Sequence, residues 1–587
     1  MAASGGQLGV TGPLSLALPT DADRRATEAL VDELKRQNNY ESATETNKRL
    51  AVLNSLQQIA EEFIRHVGKA QGLSDSLVKS LGGKIVTFGS FKLGVIGPGS
   101  DIDTLVVCPS NITIEDFFAT FPEILQKMAP EGSITELTLK PDAFAPIITL
   151  KYNGVDLDLL FGRIAIHNQI KKDLVMTTPD LLRGLTDQEV RQLNGVRVAE
   201  EMLSLVPELG VFRAALRAIK LWSSRRGIAG NIYGFPGGVV WAILVARVCQ
   251  LYPKAVASTI VAKFFQVMKR WQWPMPVILK QIDYTTRIGN LKVWNPQIYP
   301  GDKYHLMPVI TPAYPSMCAT HNIMRSTKEV IDKEINRAGD IAEQIIVGKA
   351  QWKDLFTKHT FFTADYKYYL SVITASTSEE AQLPWSGYIE SRVRHLVKLL
   401  EDHPSIALAH PFNKGFARVH RCQNEAEVEK AKGGSLEHQA KDIATATTGH
   451  GLAVGASSKT DLVNAEQKAD TNGSVTMVYT TTHYIGLELH PGVKSLDLEL
   501  LVARFRNEQC YIWDKYDHES NAICIIHTRN SDLPDDLFEE GEVKPTRKQK
   551  KKTTTNGASK KRPATEDPNQ APTKRQQTQQ TSVVAAG

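Results

Sequence analysis

Residues 88–107 read FGSFKLGVIGPGSDIDTLVV, and their reading decides the fold. Gly89-Ser90 comes first; about ten residues later Asp101-Ile102-Asp103 sits inside an apolar run. A carboxylate in such a run is costly unless a cation or a set of donors compensates it. Residues 84–88 read as a short strand, Gly89-Ser90 as a tight turn into a helix start, and 102–107 as a second strand. Alternation then places Asp101 and Asp103 on one strand face, where their oxygens can grip a hard divalent cation. Taken alone, D-x-D is more often a solvated strand face than a metal site.

A second acid pair shifts that balance. In ITLKYNGVDLDLLF, residues 148–161, apolar positions alternate on both sides of Asn153-Gly154, a strong signal for a two-residue hairpin. On its second strand Val155, Leu157 and Leu159 point one way, and Asp156 and Asp158 the other. Either Asp156 or Asp158 can complete a site for two Mg²⁺ with Asp101 and Asp103; alternation does not separate the two. Paired ions suit an in-line phosphoryl displacement, and Gly89-Ser90 at a helix start offers backbone N–H groups and a hydroxyl to a triphosphate.

The chain of 587 residues, 42% hydrophobic and 23% charged, is long enough for three or four domains. Its net charge of +5 is unevenly placed. Residues 544–587 hold eleven Lys and Arg against Glu566 and Asp567, a net of +9 that leaves the rest at −4. That segment has no aromatic residue and is expected to be disordered. Its clusters RKQKKK (547–552) and KKRP (560–563) suit a nuclear localisation signal or a nucleic-acid arm. With an acidic body, RNA must be held by a local basic groove rather than a global field. The six cysteines lack metal or disulfide spacing, which fits a reducing compartment. No secretory signal is expected from MAASGGQLGV. GGVVWAILVARVCQLY (237–252) is too short to span a bilayer and carries Arg247, so it reads as a buried core helix, with no membrane partner.

Leu53, Leu56, Ala60, Phe63, Ile64 and Val67 recur at helical spacing ahead of the opening motif. Residues 211–350 are mainly helical, with loops at Pro274, Pro276, Pro308, Pro312 and Pro315. Strand-like runs return at YKYYLSVITA (366–375), YIGLELH (484–490), CYIWDKY (510–516) and AICIIHT (522–528), with one long helix at 387–402. A sheet with a helix on one face is expected, interrupted by a mobile polar insertion over about 425–472. KGFARVHR (414–421) partly matches an RRM signature, but Arg418 and Arg421 replace two aromatics. GHGLAVG at 449–455 carries no weight.

Gly-Ser, Asp-x-Asp and a later strand Asp together are similar to the polymerase-β-like nucleotidyltransferase superfamily. The longer text, with RAIKLW (217–222), NIYGFPGGVVWAILVARVCQLYP (231–253) and HLMPVITPAYPSMCATHN (305–322), closely resembles eukaryotic nuclear poly(A) polymerases, the fungal branch in particular. The resemblance runs from about Gly9 to Phe538. It implies an α+β multidomain chain: a nucleotidyltransferase catalytic domain with a mixed sheet (1–207), a helical middle domain (208–355), an RRM-like α/β sandwich (356–538) and a disordered basic tail (539–587). The extreme N-terminus is expected to pack on the middle domain. The implied reaction is template-independent addition of AMP from ATP to an RNA 3′ end, with pyrophosphate released and Mg²⁺ or Mn²⁺ required.

Carried over by position, Asp101, Asp103 and Asp158 are the implied metal-binding acids, Asp158 because it precedes Leu159-Leu160-Phe161. Phe88, Gly89, Ser90 and Gly97 fall at nucleotide contacts, Asn194 near the sugar and Lys220 on the phosphates. Asn231, Gly238, Val239, Thr311 and Met317 fall where the family lines its adenine pocket. Without the match, Lys220 reads as an ordinary exposed lysine and Val239 as core. One departure stands out: the family usually has Tyr where Ala229 stands, so either Tyr233 compensates or ATP is held more weakly. The resemblance further implies a nuclear enzyme, a monomer outside its complex, that partners the RNA 3′ end, cleavage and polyadenylation factor subunits and, through its tail, an import receptor. A terminal transferase of other base specificity, such as a uridylyltransferase, and an inactive RNA-binding scaffold are the alternatives.

Overall fold

The computed structural model describes residues 9–143, 145–441, 447–448 and 475–547. Most of the expected insertion, the GHGLAVG motif and the basic clusters beyond residue 547 lie outside the described residues.

The acid-bearing strands belong to a five-stranded sheet of order β1-β2-β5-β4-β3, built from β1 (Lys84–Thr87), β2 (Ile102–Cys108), β3 (Ile134–Lys140), β4 (Ile147–Tyr152) and β5 (Val155–Arg163). β2 and β5 run parallel, and the other pairs are antiparallel. The hairpin expected at Asn153-Gly154 closes with Tyr152 opposite Val155 and φ of 49° and 69° at its two central residues. Two positive φ values match a type I′ turn, which that dipeptide favours. The helix Ala43–Ala70 buries Leu56, Ile59, Phe63 and Ile64 against this sheet. Phe63 meets Phe117 and Phe121 of the helix Ile114–Met128 edge to face.

The middle of the chain is helical. In Gly238–Leu251 every residue from Val240 onward is buried, Arg247 included, as expected of a core helix. The Arg247 guanidinium is satisfied by Gln250 and by Thr11 Oγ1 at 2.6 Å. No helix among the described residues is long and apolar enough to cross a membrane. The N-terminal segment lies against these helices: Leu14 N–H donates to Leu251 O at 2.8 Å, and Thr27 and Ser258 hydroxyls meet at 2.8 Å.

A second five-stranded sheet, order β10-β6-β9-β7-β8, comprises β6 (Tyr368–Ser376), β7 (Ile406–Cys422), β8 (Thr447–Thr448), β9 (Thr476–Leu489) and β10 (Asn521–Arg529), all antiparallel. The helix Glu379–Glu401 covers one face, burying Trp385, Ile389, Val393 and Leu396 with Leu370, Val372 and Ile485. This agrees with the RRM-like expectation.

Two expectations are corrected here. CYIWDKY is not a strand: its residues turn after the helix Glu499–Phe505, and Trp513 stacks on Trp385 and Tyr388 at 5.5 and 5.1 Å. Its aromatic density serves a stack on a helix rather than a pleated surface. The expected insertion also starts later than residue 425, because Glu425–Lys432 is a helix. Asn424 caps it, and Val428 and Ala431 are buried against Ala375, Cys422 and Val478.

Candidate active site

Parallel pairing of β2 with β5 sets Asp103 directly beside Asp158. Asp101 stands just before β2, and the three side chains bring carboxylate oxygens within 4.8 Å of one another. Asp156, on the same strand face, instead pairs with Lys151 of β4 at 3.3 Å. Strand alternation left Asp156 and Asp158 equal; strand order brings Asp158, and not Asp156, to Asp101 and Asp103.

A carboxyl that is half-buried beside like charges resists ionisation. Burial, then the Asp101 and Asp158 carboxylates, raise the Asp103 pKa to about 7, while the Lys220 ammonium opposes them. Lys220 lies on the helix Leu209–Arg225 and is half-buried rather than freely exposed. Burial and Arg217 lower its pKa, and Asp101 and Asp103 pull it back.

The turn after β1 closes one wall. Phe88 N–H donates to Asp103 O at 3.0 Å. Gly89 has φ +58°, and a Cβ there would overlap the Asp103 carboxylate, whose Cγ would lie 2.9 Å away. Only glycine meets both demands. Ser90 follows in the short helix Gly89–Leu93. The Phe88 ring packs so tightly on Gly195 that a Cβ there would fall 2.7 Å from its Cδ2; Asn194, adjacent to Gly195 in the chain, is half-buried.

Arg217 is a residue that sequence reasoning missed. Its guanidinium donates to Ile96 O at 2.8 Å, Gly94 O at 3.2 Å and Asn39 O at 2.6 Å, tying the loop that holds Gly97 to the helix carrying Lys220. Its place in RAIKLW, three residues before Lys220, was the available signal.

The expected adenine-pocket residues lie on two loops and on the first turn of a helix. Thr311 and Met317 bond to each other twice, each at 2.9 Å. Asn231 is exposed, and its carbonyl accepts from Asn322 Nδ2 at 3.2 Å. Gly238 and Val239 open the helix Gly238–Leu251; Val239 is 40% and Met317 42% exposed, so Val239 is not a core residue. Tyr233, the candidate to stand in at Ala229, is turned to another partner. It is buried, and its hydroxyl donates to Glu390 Oε1 at 2.5 Å, towards the second sheet.

Family models cover nearly the whole described chain. The poly(A) polymerase nucleotidyltransferase domain matches residues 9–206, the poly(A) polymerase central domain 211–358, and the poly(A) polymerase predicted RNA binding domain 360–547. The chain is 46% identical to poly(A) polymerase pla1 of Schizosaccharomyces pombe over 555 residues, covering 93% of this chain and 96% of the relative. It is 42% identical to poly(A) polymerase PAPalpha of Candida albicans, covering 92% and 94%. A solved structure of the RNA terminal uridylyl transferase Cid1 is similar to 57% of this chain and covers 99% of its own, at 13% identity and a TM-score of 0.39. Matched from its acid-bearing sheet to its second sheet, the chain belongs to the poly(A) polymerase family.

Proposed function

We propose that the chain adds AMP from ATP to the 3′ end of RNA, without a template and with release of pyrophosphate. The convergence of Asp101, Asp103 and Asp158 is the observation that carries this reading. In it, residues 1–207 form the catalytic domain, 208–355 the middle domain and 356–538 the RNA-binding domain.

The three carboxylates suit hard cations: all donors are oxygens, and the burial and the neighbouring carboxylates that together raise the Asp103 pKa are what a bound cation offsets. Mg²⁺, or Mn²⁺ in its place, would supply Lewis acidity toward the attacking 3′ hydroxyl and the departing pyrophosphate. Lys220 and Ser90 hold the phosphates, with Gly89 and Gly97 shaping the turns around them. Phe88 lies towards the triphosphate and base, and Asn194 bounds the sugar side. Asn231, Gly238, Val239, Thr311 and Met317 receive the adenine, Val239 and Met317 offering the exposed apolar surface that a base covers.

In the cell this reading places the enzyme in the nucleus, working on pre-mRNA with subunits of the cleavage and polyadenylation machinery. The tail clusters at 547–552 and 560–563 are its import signal. Extension of an oligo(A) primer with each of the four nucleoside triphosphates tests the reaction. AMP incorporation should exceed the others by at least about 100-fold, a margin set by hydrogen-bonded base readout. Preference for UTP would instead make this a uridylyltransferase.

A further inference from the structure

Residues 228–237 link the helix that carries Lys220 to the helix that opens with Gly238 and Val239, and Asn231 lies in their middle. This link has little regular structure beyond one short 3₁₀ turn, Asn231–Tyr233. Gly230 and Gly234, at φ +128° and +86°, flank that turn. Such a segment holds a fixed course only if it is anchored from outside.

Besides the bonds that close the loop on itself (Gly230 N–H to Pro236 O at 3.2 Å, Phe235 N–H to Gly230 O at 3.1 Å) and Asn322 Nδ2 on the Asn231 carbonyl, two side-chain anchors come from the C-terminal sheet domain. Asn413, at the irregular point of β7 between Pro411 and Gly415, donates through Nδ2 to Ala229 O at 2.9 Å. On the other side of Asn231, Tyr233 is 1% exposed. Its hydroxyl donates to Glu390 Oε1 at 2.5 Å, on the helix Glu379–Glu401, and stands 3.4 Å from His483 Nδ1 of β9. Both anchors flank the exposed Asn231 by two residues, and both partners belong to the sheet domain. Burial, with Glu390 beside it, keeps the Tyr233 phenol protonated and therefore a donor. A hydroxyl donating to a carboxylate is among the stronger neutral-to-charged hydrogen bonds, and an unpaired partner left in this buried setting is costly.

We infer that Tyr233, held by Glu390, is a positioning residue for ATP: it sets the Asn231 loop, so that the RNA-binding domain takes part in shaping the nucleotide pocket. This rests on the proposed role of Asn231 at the adenine. A bond that served only to join domains would affect stability and leave ATP affinity alone.

Steady-state extension of oligo(A) by the full chain, with thermal melting alongside, separates the two. Y233F should raise KM for ATP about 3- to 10-fold, less than the full worth of a charge-assisted bond because the loop keeps its other anchors, with kcat and KM for oligo(A) within about twofold of the parent. E390Q, which keeps an acceptor, should fall between the two. In an N231A background Y233F should add nothing further, because both changes act through one side chain. Unchanged KM for ATP in Y233F, with N231A raising it, overturns the inference alone. So do Y233F and N231A effects that multiply independently. Unchanged KM in N231A overturns the adenine role of Asn231 and the inference with it.

Discussion

Gly89 packs its Cα against the Asp103 carboxylate with no room for a side chain between them, at a backbone φ of +58° that itself favours glycine. The turn and the acid are therefore one device: the residue that lets β1 bend into its helix also holds the half-buried carboxylate in place. G89A must displace Asp103 or the turn by about an ångström. Tailing activity should drop by about 100-fold, the scale of a 1 Å misplacement in a reacting geometry. Primer extension at saturating ATP checks this, and a parent-like rate would contradict it.

Asp103 keeps its proton up to about pH 7 in the metal-free chain, against an ordinary 3.8. The folded pKa lies above the unfolded one, so this group favours the fold at low pH. That contribution is lost as pH rises from about 4 to about 7. A cation must displace the same proton. Mg²⁺ affinity should therefore weaken by up to about tenfold per pH unit below about pH 7, and Mg²⁺ added near pH 6 should release a proton, measurable by calorimetry in buffers of different ionisation heat. D103N, which removes the repulsion, should melt no lower than the parent in metal-free buffer at about pH 8 while losing activity by more than about 100-fold.

Arg418 is 3% exposed and makes a bidentate pair with Asp536 at 2.7 and 2.9 Å, with Thr482 Oγ1 at 3.1 Å. It is committed to packing the second sheet against the 530s segment. R418M should destabilise the fold by about 3 kcal/mol, the low end for breaking a buried pair, because the Asp536 side chain stays 24% exposed. Denaturant melts give that value. RNA affinity of the folded variant should be unchanged, and a large loss would restore the RRM-signature reading of KGFARVHR.

Tyr233 turns away to Glu390, so its ring is not the one to take the place of the Tyr that the family usually has where Ala229 stands. A229Y is expected to lower KM for ATP, by about 3- to 10-fold if the ring stacks on a base. An unchanged or raised KM would refute that loss of contact.

The acid-bearing sheet was legible because its signals are local. Asn153-Gly154 encodes its own turn, and the alternation of Val155, Leu157 and Leu159 with Asp156 and Asp158 encodes the exposed face. What alternation cannot encode is which neighbour an acid meets: Asp158 beside Asp103 and Asp156 beside Lys151 are facts of strand order. CYIWDKY misled because an aromatic run looks the same whether it lines a sheet or stacks on Trp385 of a helix. The helix Glu425–Lys432 hid in a polar composition, with Val428 and Ala431 as its only buried residues. Contacts across long separations, such as Arg217 with Ile96 or Tyr233 with Glu390, leave no periodic trace at all.

The most direct test of Asp101, Asp103 and Asp158 as one metal-holding unit is the rate of AMP addition to oligo(A) by D158A at saturating ATP and Mg²⁺. The melting temperature is measured on the same sample. The rate should drop by more than about 1,000-fold, as expected when a member of a cooperating catalytic unit is removed, with the fold no less stable. A rate within about tenfold of the parent, still dependent on Mg²⁺, would contradict the assignment.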